Sequence, residues 1–378
     1  MRNPYIFQLI VAGVVFFIAL INLYLGKSLL LLSLTRMQIV SYLIVTIFLS
    51  LGMFSVINGI PFAAQISRFC VFWFVAQIII LPFAFILIAG NLFVKYFTSV
   101  YTMSFTHNAF LVVMVLAICS SAYGAYYESV TVRTVKYDVS LQKLDTNAEG
   151  FKIAQITDLH IGHYFSTNDL QAVMEKVVAE KPAVLVITGD LIDDVAQLQE
   201  TVSILDKFAG QFPHGIYYCW GNHEYFRNYA AIGQALNKSK VTVLKNQHAL
   251  LVDGQIPLYL LGIDYSFNRI GGAKQEYEAM LVKAIAGTKE PSTKILLSHH
   301  SVAIDNAFEH KIELTLTGHT HGLQVNIVSK IFAHAFKYLR GMYEQDGMYG
   351  YVSTGVSGWF PFRFGCPPEI AVFTLKKV

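Results

Sequence analysis

Residues 151–160 read FKIAQITDLH, a short β-prone run that stops at an Asp, a Leu and a His. The same arrangement recurs four times downstream. AVLVIT (183–188) ends in Gly189-Asp190, and GIYYCW (215–220) ends in Gly221-Asn222-His223-Glu224. KILLS (294–298) ends in His299-His300, and ELTLT (313–317) ends in Gly318-His319-Thr320-His321. Runs this short and this rich in β-branched and aromatic residues predict strands. Leu258–Ile263 reads as another, and Gly350–Thr354 and Glu369–Lys376 as two closing ones. Between them, 167–181, 195–210, 228–238 and 276–287 space their apolar residues as helices do, with Thr167 or Asn168 placed to cap the first. Strands alternating with helices predict an α/β architecture. Loops after the carboxyl ends of such strands are where α/β proteins build ligand sites, so five strand ends can converge on one cluster.

The residue types delivered there are carboxylate, imidazole and carboxamide, without thiolate. Such a set suits Mn, Fe or Zn better than Ca or a soft metal. Asp-x-His and His-x-His put alternate side chains on one face of an extended segment. Asp158, His160, Asp190, Asn222, His299, His319 and His321 are too many for one tetrahedral site. They fit two divalent ions about 3.5–4 Å apart bridged by one carboxylate. The glycines before Asp190, Asn222 and His319 read as turns where strand becomes site. A lone Asp-Leu-His or Gly-Asp marks a turn more often than a ligand. It is the five blocks in this order, each at a strand end, that carry the reading. His163, His214, His248, His310 and His334 lack such a setting and read as surface or structural residues. His300 has the poorer register of its pair.

The order DLH, GDLID (189–193), GNHE (221–224), His299 and GHTH (318–321) resembles the calcineurin-like metallophosphoesterase family over roughly 150–378. GHTHGLQ and the tail VSTGVSGWFPFRFGCPPEI are similar to its bacterial membrane-associated branch, which includes UDP-2,3-diacylglucosamine pyrophosphatases. The resemblance implies a two-sheet β-sandwich flanked by helices and hydrolysis of a phosphoester or pyrophosphate by metal-activated hydroxide. It implies one ion on Asp158, His160, Asp190 and His321, and a second on Asp190, Asn222, His299 and His319. His223 would protonate the leaving oxygen. This branch has Gly where Leu323 stands, so the shape of that loop is expected to differ.

The N-terminal third is of another kind. Before Glu128 there is no acidic residue, and the only cations are Arg2, Lys27, Arg36, Arg68 and Lys95. Hydrophobic residues make up 54% of the 378, charged residues 14%, and the mean hydropathy is +0.48. Soluble domains carry about 25% charged residues, so this is no simple soluble chain. Four apolar runs, 5–26, 37–58, 69–94 and 108–127, each reach the ~20 residues that cross a bilayer as a helix. Pro82 is expected to kink the third. The expectation is a four-helix transmembrane domain (1–127), a juxtamembrane strand or linker (128–150) and an α/β metallophosphoesterase domain (151–378). None of the runs holds an ionisable residue of the kind that marks a transport pathway, which favours an anchor. With four spans, Arg2, Arg68, Arg133 and Lys136 face the catalytic side against Lys27, Arg36 and Lys95, favouring a cytoplasmic catalytic domain in a bacterial inner membrane.

Of 28 basic residues 23 follow residue 127, against all 25 acidic ones, so the soluble part carries about −2. That excludes a general nucleic-acid binder. Four cysteines without a CxxC pair indicate neither a zinc ribbon nor a disulfide framework. The anchor places the site among lipid head groups, so the expected substrate is phosphorylated and lipid-linked, with UDP-2,3-diacylglucosamine the most specific candidate. A phosphodiesterase for soluble nucleotides and a membrane receptor or scaffold with a binding-only esterase domain are the rivals. Trp359, Phe360, Phe362 and Phe364 read equally as an apolar entrance or as core, with Arg363 available to a phosphate. Segment 327–340 puts Ile327, Ile331, Phe332, Ala335, Phe336 and Leu339 on one helical face, read as packed against protein in preference to lying on the bilayer.

Overall fold

The computed structural model describes residues 4–30, 34–54, 62–98, 103–268 and 270–378. The chain divides into two units, Met1–Glu128 and Ser129–Val378.

The first unit holds α1 (Pro4–Leu29), α2 (Arg36–Gly52), α3 (Ala63–Thr98) and α4 (Met103–Ala122), the last running on through short π and 3-10 turns to Val130. Among the described residues three stretches, and not the four expected, are long and apolar enough to cross a membrane: Gln8–Leu29, Ala63–Thr98 and Ser104–Val130. The second expected span is cut short because α2 has 17 residues, and residues 55–58 lie outside the described ones. α3 continues through Pro82 as one 36-residue helix. Asn22 donates from Nδ2 to Gln77 Oε1 at 2.9 Å and to the Gln77 carbonyl at 2.8 Å, a polar clasp between α1 and α3. Leu9, Phe17, Phe48, Phe85 and Ile86 stand exposed on these helices, as side chains do when lipid is the solvent.

The second unit is built on two six-stranded sheets. The strands are β1 (Arg133–Leu141), β2 (Lys152–Ile156), β3 (Val184–Thr188), β4 (Ile216–Cys219), β5 (Val241–Val243) and β6 (Gln247–Val252). They continue with β7 (Leu258–Gly262), β8 (Thr293–Leu297), β9 (Leu314–Thr317), β10 (Gly341–Gln345), β11 (Met348–Val352) and β12 (Glu369–Lys377). One sheet runs β1-β12-β2-β3-β4-β5 and the other β10-β11-β9-β8-β7-β6. In the first, β2, β3, β4 and β5 pair in parallel; in the second, β7, β8, β9 and β11 do. Both sheets are therefore mixed. β1 pairs with β12 along its whole length, which ties residues 133–141 into the sheet.

Every residue of β3, β7, β8 and β9 is buried, and β3 and β7 accordingly read as near-continuous apolar runs, while β9 alternates Leu and Thr with both faces covered. Ile153, Val184, Leu260, Ile295, Leu297, Leu316 and Phe373 meet between the sheets. Helices α5 (Thr167–Ala179), α6 (Leu198–Ala209) and α8 (Tyr229–Asn237) cover the outer face of the first sheet. Helices α9 (Ile270–Ile285) and α10 (Ala303–Glu309) cover that of the second. α5 begins at Thr167, so its cap falls one residue before the earlier of the two expected, Thr167 and Asn168. Ser166 caps it, accepting from Asp169 N–H while Asp169 accepts from Ser166 N–H. Two short helices complete the unit, α7 (Asn222–Phe226) and α11 (Asn326–Phe332).

The expected helical face over 327–340 is not one helix. α11 stops at Phe332, a 3-10 turn follows, and Tyr338 and Leu339 turn inward. Ile327, Ile331, Phe332 and Phe336 remain exposed, against the expectation of a packed face. The side chain of Ala335 lies outside what is described.

Candidate metal centre

β2, β3 and β4 of one sheet and β8 and β9 of the other end at the same place. The loops leaving those ends carry all seven expected ligands. Two clusters result, each of three groups whose ligand atoms lie within 4.8 Å of one another: Asp158, His160 and His321, and Asp190, His299 and His319. All but His319 are buried, and His319 is half-buried.

In the first cluster His321 Nε2 stands 3.3 Å from Asp158 Oδ1 and 3.1 Å from His160 Nε2. His321 Nδ1 lies 3.2 Å from the Ser357 carbonyl, so the proton sits on that side and Nε2 presents a lone pair. In the second, His299 Nδ1 donates to the Thr188 carbonyl at 2.7 Å. Its Nε2 then faces Asp190 Oδ2 at 3.1 Å and His319 Nδ1 at 3.1 Å. Asp190 reaches both clusters. Oδ1 accepts from His223 N–H at 2.9 Å, and Oδ2, 3.7 Å from His160 Nε2, looks into the space between them.

Asn222 opens α7, beside Asp190, and its buried Oδ1 has no hydrogen-bond partner. A buried carbonyl oxygen left unpaired costs free energy unless a cation or water meets it. His321 Nε2, whose ring is held by the Ser357 carbonyl on its other side, lies 3.1 Å from His160 Nε2, and two imidazole nitrogens that close likewise ask for a cation between them. The donor set is imidazole, carboxylate and carboxamide, which suits divalent transition metals. The residues fit two such ions.

The electrostatics agree. Burial opposes charge on His160, but the nearby carboxylates of Asp193, Asp190 and Asp158 outweigh it and push its pKa up to about 9. Burial likewise opposes charge on His299, and Asp190 pushes it up to about 10. Burial and the neighbouring cationic rings hold His319 and His321 well below the usual histidine value. Asp190, despite burial, is held well below the carboxylate range by His299, His160 and His223. Without metal, protons take the positive charge that the carboxylates demand.

Backbone strain is concentrated here. Asp158, His160, Asp190, His319 and His321 all have φ between +46° and +73°, a left-handed conformation that costs non-glycine residues about 1–2 kcal/mol each. Leu323, where the resemblance leads to an expectation of Gly, has φ +57°, in the left-handed region that favours glycine. A Cβ at Gly221 would lie 2.2 Å from Asp190 Oδ1, and one at Gly318 would lie 2.3 Å from Asp158 Oδ2.

His223 projects its Nε2 toward Asp190 Oδ2 at 3.9 Å, and its ring lies 4.3 Å from that of His160. Two residues inside the quoted motifs were left without a role. Asp193, the second acid of GDLID, stands 2.5 Å from His223 Nδ1 and 3.4 Å from His160 Nδ1. Glu224, the last residue of GNHE, is fully buried and accepts from the N–H groups of Asp190, Leu191 and Gly221, locking two ligand loops together. Nothing in the spacing distinguished them from turn residues. Tyr265, after β7, lines the second cluster with its ring 5.8 Å from that of His319. His300 stacks against His319 at 4.5 Å, and burial pushes its pKa down to about 4.

Arg363 is not where a phosphate would meet it. It is 1% exposed, and its guanidinium donates to the carbonyls of Cys366 at 2.9 Å, Thr354 at 2.7 Å, and Ser357. Arg363 therefore ties the 354–366 loop together from within. The aromatic run around it divides: Phe362 is core, Phe360 is half-buried, and Trp359 and Phe364 are exposed.

A protein-family model described as Calcineurin-like phosphoesterase matches residues 151–323. An uncharacterized metallophosphoesterase of Helicobacter pylori J99 is 30% identical over 265 residues, 69% of this chain and 68% of that protein. A zebrafish transmembrane protein with metallophosphoesterase domain is 27% identical over 282 residues, 71% of this chain and 62% of its own. The UDP-2,3-diacylglucosamine pyrophosphatase LpxG of Chlamydia trachomatis is 24% identical over 292 residues, 64% of this chain and 88% of its own. Five strand ends converging on paired Asp and His clusters, and a relative of that identity matched over two thirds of its length, place this chain in the calcineurin-like phosphoesterase family of metal-dependent phosphoester hydrolases.

Proposed function

We propose that this chain is a membrane-anchored, two-metal phosphohydrolase acting on a lipid-linked phosphoester or pyrophosphate, with UDP-2,3-diacylglucosamine the leading candidate. The observation that carries it is Asp190, whose Oδ2 lies 3.1 Å from His299 Nε2 of one cluster and 3.7 Å from His160 Nε2 of the other, in a unit preceded by three apolar helices. Asp158, His160, Asp190 and His321 would hold one ion, and Asp190, Asn222, His299 and His319 the other. Mn, Fe and Zn all suit these donors. Such ions supply positive charge for phosphoryl oxygens and ease deprotonation of the attacking water. His223, oriented by Asp193 behind it, stands where a side chain can give its proton to the leaving oxygen.

The lipid-linked substrate draws support from the apolar helices and from the name of the Chlamydia relative. Taking the three long helices as the crossings puts Lys27, Arg36, Arg68, Arg133 and Lys136 on the catalytic side, against Arg2 and Lys95. Five against two favours a cytoplasmic catalytic unit, by a wider margin than four spans allow. In a bacterium this is the inner membrane.

The test uses detergent-purified full-length protein loaded with Mn²⁺, offered UDP-2,3-diacylglucosamine beside a water-soluble bis-aryl phosphodiester. Strong preference for the lipid is the expected result. Preference for a soluble nucleotide diester would overturn the substrate class, and no turnover of any ester with metals bound would favour a binding-only domain.

A further inference from the structure

The second unit carries an exposed apolar patch beside the metal centre. Ile327 (66% exposed), Ile331 (65%), Phe332 and Phe336 come from α11 and the turn after it, and Trp359 (59%) and Phe364 from the loop before β12. The two segments are laced together. Val325 and Phe364 form a parallel bridge, Asn326 N–H donates to the Phe364 carbonyl, and Arg340 Nη2 donates to Asn326 Oδ1 at 2.8 Å. Gln324 Nε2 reaches the Phe360 and Phe362 carbonyls at 2.9 and 2.7 Å. The patch adjoins the site directly: Ser329 Oγ donates to the Gly322 carbonyl, one residue beyond His321, and the Ser357 carbonyl meets His321 Nδ1.

Exposed apolar groups gathered in one place mark an interaction surface. The two segments that form this one carry charge of a single sign. No Asp or Glu occurs from Leu314 to Tyr343 or from Gly347 to Pro368, whereas Lys330, Lys337 and Arg340 fall there; Arg363, in the second segment, is buried on backbone carbonyls. One of these cations, Lys337, is met by Asp305 of α10 at 2.5 Å. This stands out in a unit that is net acidic overall. Large apolar side chains beside Lys and Arg, without carboxylates, are the composition of segments that lie in the interface of an anionic bilayer. The chain also supplies the bilayer. Only Thr131 and Val132 separate the last apolar stretch, Ser104–Val130, from β1.

We infer that this patch is a docking surface for an anionic lipid bilayer, seating Ile327, Ile331, Phe332 and Trp359 at the head-group boundary so that the mouth of the metal centre opens onto the membrane surface. It rests on the membrane-anchored reading for the presence of the bilayer, and its first readout does not depend on activity.

Full-length protein carrying Cys119→Ser, which removes the one exposed cysteine among the four, and Ile331→Cys is labelled with an environment-sensitive fluorophore. It is placed in nanodiscs containing brominated acyl chains, with and without phosphatidylglycerol. Bromine should quench the label at 331 by about twofold or more, and more strongly with the anionic lipid, while a label at exposed position 238 should be unaffected. Equal quenching at 331 and 238 would overturn the inference. So would energy transfer between labelled chains at 331 in detergent without bromide, which would make the patch a self-interface. In a second arm, Ile331→Asp with Phe332→Asp should slow hydrolysis of bilayer-borne substrate about tenfold and leave a water-soluble ester unchanged. If wild type cleaves no lipid substrate but quenching holds, the substrate reading falls and the docking surface stands.

Discussion

Asp193→Asn isolates what the acid behind His223 does. The carboxylate has three charged neighbours: Oδ1 is 2.5 Å from His223 Nδ1, and Oδ2 is 3.4 Å from His160 Nδ1, with the partly exposed Arg227 Nη2 also 3.4 Å from Oδ1. The first is a strong charge-assisted hydrogen bond; the second is too long to be one. Hydrogen bonds to charged groups contribute about 1.5–3 kcal/mol. Both Asp193 and His223 are about a quarter exposed, at 25% and 23%, so water screens the pair and the lower end applies. About 1.4 kcal/mol is tenfold in rate, so kcat should fall about tenfold if the bond matters only when His223 carries charge in the transition state. Asn keeps the shape and one acceptor, so the fold and metal content should survive. The assay is kcat on a bis-aryl phosphodiester at saturating Mn²⁺, for wild type, Asp193→Asn, His223→Ala and the double variant. In the His223→Ala background, Asp193→Asn should cost nothing further, since the two act as a unit. Undiminished kcat in the single variant would refute the reasoning. So would a loss that excess metal restores, which would mean that Asp193 works through His160.

Asp190→Asn weakens the one group that faces both clusters, so metal analysis of the purified variant should show most of both ions gone along with activity. Gly318→Ala drives a methyl to 2.3 Å from Asp158 Oδ2 and from Thr157 Oγ1, both buried, so metal affinity should fall at the Asp158 cluster first. Leu297→Ala opens a cavity between the sheets where Leu297 is fully buried, and should cost about 2–5 kcal/mol, read as a lower denaturation midpoint. The pKa of His160 and of His299 lies above the ordinary 6.5, at about 9 and 10. The stability their protons contribute to the metal-free protein is therefore complete below about pH 6.5 and lost as pH rises through 9 to 10. Thermal scans of chelated protein should show Tm falling across that window, and metal-loaded protein, whose ligands are already deprotonated, should show a smaller fall.

The strand ends were legible because the central strands are buried almost throughout, so Asp, Asn and His appear only where the chain leaves the sheet, and those residues are at the site. Edge strands give no such signal. β1, β5, β6 and β10 are short or half-exposed, and their burial follows no run that a sequence displays. Arg363 misled for a different reason. A cation within an aromatic run looks like a binding group, and only the fold reveals that three backbone carbonyls from residues 354–366 surround it. Segment 327–340 has helical spacing throughout, yet the chain leaves the helix at Phe332 because Tyr338 and Leu339 are drawn inward. The Tyr338 hydroxyl finds Asp305 on α10 at 2.7 Å, a tertiary contact that outcompetes continuing the turn. Asp193 was in plain view inside GDLID but could not be told from a turn residue until the loop set it behind His223.

The glycines of these motifs do a job other than the one their position suggests. A glycine before a ligand reads as a turn, and Gly189, at φ +86°, is one. Gly221 and Gly318 are not among the positive-φ residues. What they lack is a side chain, and that absence lets the carboxylate of another loop occupy the space: Asp190 against Gly221, Asp158 against Gly318. The left-handed strain falls instead on the ligands, where no glycine can serve because each must carry a donor group. Two costs are thus concentrated at one spot, strained backbone and buried carboxylates, and both are sustained by the apolar packing between and outside the sheets. Such a concentration has no structural use of its own. It makes sense only if the charge gathered there is held ready for cations, with Glu224 binding the loops from behind so that they cannot relax apart when the cations are absent.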